Sequence, residues 1–226
     1  MPSAVLAEPA TVPPPEVGRR DLAGNLPGQG ISELAVAARR AAPVKTFLGR
    51  FLGVHTDERA LRVGASGEKS VGKRLARLGP EWRVIHSIPA GRTGRDIDHL
   101  VIGPGGVFSL NTKNHLRKKV WVAPRTFRVG GYKTDYLPKS HKEGAHASRV
   151  LSKACGFDIA VEPVIIVIAT SVTVKEQPRD VHVVRRKNVT KWLSSRPPVL
   201  TPEGVEIVYE QARWSTTWLP PEPQKK

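Results

Sequence analysis

The stretch from Arg95 to Lys113 constrains this chain most. Two β-forming runs, Ile97 to Ile102 and Val107 to Leu110, flank Gly103-Pro104-Gly105-Gly106. Branched and aromatic side chains suit a pleated strand and a Gly/Pro cluster interrupts one, so the spacing predicts a β-hairpin. Side chains alternate across a strand. Asp96, Asp98, Leu100 and Ile102 therefore share one face of the first strand, and Val107, Ser109, Asn111 and Lys113 share one face of the second. Antiparallel pairing brings Asp98 roughly opposite Asn111 and Lys113. An acid, an amide and a lysine then meet at the open end of the hairpin.

A carboxylate on one strand and acid-x-Lys on the next is one way to hold a divalent cation beside a phosphodiester. The carboxylates bind Mg²⁺, and the lysine orients or activates a water. Here the pattern is Asp98 followed by Asn111-Thr112-Lys113, with an amide in the middle slot. An ordinary amphipathic hairpin with polar residues at its frayed end has the same pattern. The hairpin alone leaves both readings open.

Charge narrows the partner. Lys and Arg number 36 against 20 Asp and Glu, a formal net charge of +16. That balance favours a polyanion: nucleic acid first, an anionic membrane surface second. Arg92 and Arg95 before the hairpin, and Arg117, Lys118 and Lys119 after it, are placed to meet a phosphate backbone. The single cysteine, Cys155, allows neither a disulfide framework nor a cysteine-based zinc site within one chain. It suits a reducing, cytoplasmic compartment. No apolar run approaches the roughly 18 to 20 residues that span a bilayer. No apolar stretch follows a basic N-terminus, so no secretory signal is expected.

Residues 1–56 read as a flexible Pro/Ala-rich segment, with a short helix over Ile31 to Ala42 that Pro43 ends. Within it, residues 45–52 mix cations with Phe and Leu, for which membrane-surface contact is a secondary reading. Residues 57–170 read as the main domain. Val71, Leu75 and Leu78 recur at helical spacing, with Ser66 as the expected N-cap and Gly79-Pro80 as the stop. Glu68 is then either a first-turn carboxylate favoured by the helix dipole or another acid aimed at the site. Trp82 to Ile88 reads as a strand and Pro89 to Gly94 as a loop. After the hairpin come a basic cluster over Asn114 to Lys119, a strand over Val120 to Val122, and a hairpin turning at Gly130-Gly131. Ser140 to Gly156 reads as a second helix. Pro163 to Ala169 is a continuous apolar run, a strand buried on both faces. Residues 171–219 read as a β-α addition, with a strand at Val181 to Val184 and helices over Asn188 to Ser195 and Thr201 to Trp214. Residues 220–226 read as a loose tail. The expected fold class is α/β: an α-β-β-β-α-β core with a mixed sheet flanked by helices.

Three separated motifs resemble the nuclease-related domain family, NERD, a branch of the PD-(D/E)xK or restriction-endonuclease-like superfamily. They are Gly64-Ala65-Ser66-Gly67-Glu68, Ile97-Asp98 through Val107-Phe108, and Asn111-Thr112-Lys113-Asn114. The resemblance runs from about Leu61 to Ala169. It implies a restriction-endonuclease-like fold, with Asp98 as the first metal-binding acid, Lys113 as the motif lysine and Glu68 as the acid of the first helix. Asn111 stands where the pattern has Glu or Asp, which removes a charge that Mg²⁺ prefers. Asp96, on the same face as Asp98, is a candidate substitute.

The first functional reading is a metal-dependent nuclease hydrolysing DNA phosphodiesters in DNA processing or repair. Mg²⁺, with Mn²⁺ as an alternative, would be held by Asp98, Glu68, Asn111 and Asp96. Lys113 would steady charge on the phosphate, and Arg92, Arg95, Arg117, Lys118 and Lys119 would hold the backbone. The alternative is a nucleic-acid-binding module of the same fold, catalytically weakened by Asn111. Oligomeric state is not legible in the sequence.

Overall fold

A computed structural model of the chain describes residues 19–30, 54–89 and 96–219. The expectations for Ile31 to Ala42, residues 45–52, Arg92, Arg95 and the 220–226 tail lie outside the described residues.

Helix α1 spans Val54–Leu75, followed by strands β1 (Arg83–Pro89), β2 (Asp96–Gly103) and β3 (Gly106–Ala123). Strands β4 (Thr126–Val129) and β5 (Tyr132–Thr134) precede α2 (Tyr136–Cys155), β6 (Val161–Val174) and β7 (His182–Arg185). Short helix α3 (Val189–Ser194), α4 (Pro202–Ala212) and α5 (Ser215–Trp218) close the described chain. The strands form one seven-stranded sheet. β1, β2 and the first half of β3 run antiparallel, while β3–β6 and β6–β7 pair in parallel. This is the mixed α/β sheet flanked by helices that the sequence implied.

Two apolar layers cover the central strands. On one face Val71 and Leu75 of α1 pack with Val101, Phe108, Leu110, Val164 and Ile166. On the other, Ala147 and Leu151 of α2 and Val205 and Val208 of α4 pack with Leu100, Ile102 and Val107. Successive β3 residues thus feed opposite layers, as strand alternation requires. Val164 to Val167 are all buried, so the apolar run of β6 is enclosed on both faces.

Four local expectations held. Gly130 and Gly131 both have positive φ, 58° and 89°, at the β4–β5 turn, the backbone a tight hairpin turn needs. Gly156 ends α2 in the left-handed conformation. Helices are present near both predicted C-terminal positions, and Thr201 caps α4 by accepting from Gly204 N–H at 3.2 Å.

Three expectations are corrected. α1 starts at Val54, so Ser66 lies inside the helix and cannot be its N-cap, and Glu68 is not in the first turn. Gly64 and Gly67 weaken the helical signal, but the helix continues through both. Next, the basic cluster 114–119 and the strand expected over Val120 to Val122 are not separate from the hairpin, because β3 continues for 18 residues with β6 as its parallel partner. Finally, the N-terminal segment is not loose over residues 19–30. Leu22 is fully buried in the core under α4, and Asp21 bridges Trp214 and pairs with Arg213. Its few apolar residues dock on an existing core rather than forming their own.

Candidate functional site

The β2–β3 ladder ends at His99–Leu110. The next residues outward on the two strands are Asp98 and Asn111. β2 stays with β1 beyond this point, through Ile97 and Asp96, while β3 stays with β6. The strands therefore part at Asp98 and Asn111, and the hairpin has the open end expected of it. In the gap, Thr112 N–H donates to Asp98 Oδ2 at 2.6 Å.

The parting coincides with an irregularity in β1. Ser87, which faces Asp98 across the β1–β2 pair, has φ 49° and no ladder partner. Asn25, from the packed N-terminal segment, holds this kink: its Nδ2 donates to the carbonyls of His86 at 3.1 Å and Ser87 at 3.0 Å. Sequence reasoning gave Asn25 no role, because only tertiary packing places it there.

Helix α1 delivers the third acid. A Cβ on Gly67 would meet Asn114 Cβ at 2.9 Å and Thr112 Cγ2 at 3.3 Å, so the helix backbone lies directly on β3 there. Glu68, the next residue, is only 6% exposed. Burial, then the charges of Asp98 and Asp96, push its carboxyl up to about 8, against a backbone hydrogen bond from Gly28 and the Lys113 charge. Burial pushes Asp98 up to about 6, opposed first by Lys113 and then by the Thr112 N–H. The charges of Asp96 and Lys113 thus bear on both Glu68 and Asp98. Such clustering of raised acids marks functional sites more often than plain scaffold.

Lys113 lies over the Tyr136 ring at the start of α2, with Nζ 5.0 Å from its centroid. Tyr136 in turn hydrogen-bonds His115 Nε2 at 3.1 Å. His115 belongs to that contact rather than to the acids. Asn111 Nδ2 donates to Glu143 Oε2 of α2 at 3.0 Å, and its Oδ1 is buried with no hydrogen-bond partner. Glu143 was missed in the sequence. Its only signal is helical spacing from Tyr136 and Ala147, which is meaningful once α2 is known to lie on β3.

Arg117, Lys118 and Lys119 sit farther along β3 and are exposed. The β3–β6 register shifts between His115 and Lys119, with β6 advancing only from Ala169 to Ser171. The basic run thus spans a β-bulge within β3.

Among the described residues no three His, Cys, Asp or Glu side chains form a ready metal cluster. The candidate donors here, the Asp98 and Glu68 carboxylates and the amide oxygen of Asn111, are all oxygens. Such a set fits a hard divalent cation better than a softer one.

The family model described as nuclease-related domain, NERD, matches residues 63–168, from within α1 to within β6. Over those residues the chain is similar to the nuclease-related domain family. The NERD family belongs to the restriction-endonuclease-like superfamily. No curated protein and no solved structure matches the chain. Within the NERD stretch α1, β1, β2, β3, α2 and β6 follow in the expected α-β-β-β-α-β order, with β4 and β5 inserted before α2. Among the described residues no helix is long and apolar enough to cross a membrane.

Proposed function

We propose that this chain is a divalent-metal-dependent nuclease of the NERD family acting on DNA phosphodiesters. The supporting observation is the parting of β2 from β3 at Asp98 and Asn111, with Lys113 next on the same face and Glu68 brought in by α1. Asp98, Glu68 and the Asn111 amide oxygen would hold Mg²⁺ or Mn²⁺, and Asp96 adds negative charge beside them. When bound, such a cation polarises the phosphate and lowers the pKa of a bound water. Lys113 steadies negative charge on the phosphate and, by its own charge, keeps Asp98 more ionised than burial alone would allow. The exposed run Arg117, Lys118 and Lys119 supplies sequence-tolerant backbone contacts. Arg92 and Arg95 are proposed to share that role. A role in DNA processing or repair within the cytoplasm belongs to the same proposal.

The test is cleavage of supercoiled plasmid and single-stranded DNA with Mg²⁺, Mn²⁺ or EDTA, alongside Asp98→Ala and Lys113→Ala. Metal-dependent cutting lost in both variants supports the nuclease. Asn111 favours one second reading, a module that binds nucleic acid without cutting it. Salt-sensitive binding with no cutting in any metal would decide for that module.

A further inference from the structure

Asn111 does not face solvent alone. Helix α2 runs back along the Asn111 face of β3. Tyr136 meets Lys113 and His115, Glu143 meets Asn111, and Ala147 and Leu151 share a core with Val107. Tyr136, Glu143 and Ala147 lie on one helical stripe, so the face that packs α2 on the sheet also aims Glu143 at the motif position.

The Asn111–Glu143 contact has a direction. Only the amide nitrogen can donate to a carboxylate, so Nδ2 turns to Glu143 and Oδ1 turns away. Oδ1 is then a buried acceptor without a partner. A buried acceptor left open in this way can take a water or a cation. An aspartate at 111 would set two carboxylates at hydrogen-bond distance, and one would have to keep a proton. The amide at 111 and the acid at 143 therefore explain each other.

We infer that Glu143 is the displaced acid of this site. It carries, from the helix, the charge that position 111 lacks, and it fixes Asn111 so that Oδ1 is the oxygen offered to a divalent cation. The inference rests on the reading of the site as a divalent-metal nuclease centre.

The test measures Mn²⁺ binding to the full chain by electron paramagnetic resonance, with circular dichroism and thermal melting to certify folding. The proteins are wild type, Asp98→Ala, Glu143→Gln, Asn111→Asp and the double variant Asn111→Asp/Glu143→Gln. The double variant keeps the hydrogen bond with donor and acceptor exchanged and returns the charge to the strand. The expected result is Mn²⁺ affinity at least about tenfold weaker in Glu143→Gln, recovered in the double variant, and no better than wild type in Asn111→Asp alone. Wild-type affinity in Glu143→Gln, with Asp98→Ala impaired, overturns the displaced acid and leaves the metal centre standing. So does a folded double variant that fails to recover. Equal or absent binding in wild type and Asp98→Ala overturns the metal centre and the inference with it.

Discussion

Thr112 gives its backbone N–H to Asp98 Oδ2 at 2.6 Å, where β2 and β3 cease to pair. A side chain here replaces a strand partner, so Asp98 both closes the backbone of β3 and contributes charge to the acid cluster. Those roles separate on mutation. Asp98→Asn keeps an oxygen for Thr112 but removes the repulsion on Glu68 and the cost of burying a carboxylate. The expected outcome is an inactive protein that is more stable by about 1 kcal/mol. In a chain of this size that is a rise of roughly 2 to 4 °C in melting temperature. Calorimetry on the metal-free pair measures it, and a lower melting temperature for Asp98→Asn would contradict it.

Cation binding should depend on pH through Glu68. Its carboxyl sits at about 8 without metal, so at neutral pH a cation must displace its proton. A raised carboxyl pKa means that affinity is full above about 8 and falls as the pH drops. The loss approaches tenfold per pH unit for one proton. Below about 6, Asp98 adds a second proton. Calorimetric titration of Mg²⁺ at pH 6 to 9, in buffers of different ionisation enthalpy, reads both the affinity and the proton released. A pH-independent affinity would remove Glu68 from the site.

A buried histidine pair should make its own, acid-sensitive contribution to folding stability. His86 and His99 face each other with Nδ1 atoms 2.8 Å apart, and His99 is wholly buried. One nitrogen must donate and the other accept, so a proton on both rings would break the contact. Burial lowers His86 to about 4 and lowers His99 well below its ordinary value. Between about pH 6.5 and 4 the unfolded chain binds protons that the folded chain refuses. The pair's contribution to stability is therefore full above 6.5 and is lost as pH falls toward 4. Glu68 and Asp98 act in the opposite sense, because the folded chain holds their protons over much of the same range. Wild type should therefore lose more stability than His86→Phe between pH 6.5 and 4, read as the difference in melting temperature between the two.

Residues 19–30 should be an integral part of the fold. Leu22→Ala removes a fully buried side chain and should cost about 2 to 5 kcal/mol. Asn25→Ala, which strips the donor from two carbonyls beside the Ser87 kink, should cost about 1 to 3 kcal/mol. Urea titrations of both variants test this, and wild-type stability in both would make the segment a passenger. The hairpin and its polar end were legible because alternation and a Gly/Pro turn are local signals. So were the apolar β6 and the α2 stop at Gly156. The docking of Leu22 and Asn25 was not, because one buried leucine in a Pro-rich stretch carries no period. Glu68 was legible as an acid, yet its capping role and its site role had the same sequence, and only a helix start twelve residues before Ser66, at Val54, separates them. Glu143 stayed hidden because its meaning depends on which strand α2 covers.

The basic bulge on β3 should act on nucleic acid as charge alone. Arg117, Lys118 and Lys119 are exposed, and the β3–β6 register shift falls across the run. Each phosphate contact contributes about 0.9 to the slope of log affinity against log salt on duplex DNA. Replacing all three with alanine should therefore flatten that slope by up to about 3 units and weaken binding to every sequence alike. Fluorescence anisotropy with two unrelated duplexes from 50 to 200 mM salt is the measurement. The same triple variant should keep Mn²⁺ affinity, because none of the three residues is among the main influences on Glu68 or Asp98. A slope unchanged from wild type would move the nucleic-acid path off this strand. Weakening confined to one of the two duplexes would instead show that the bulge reads bases as well as phosphates.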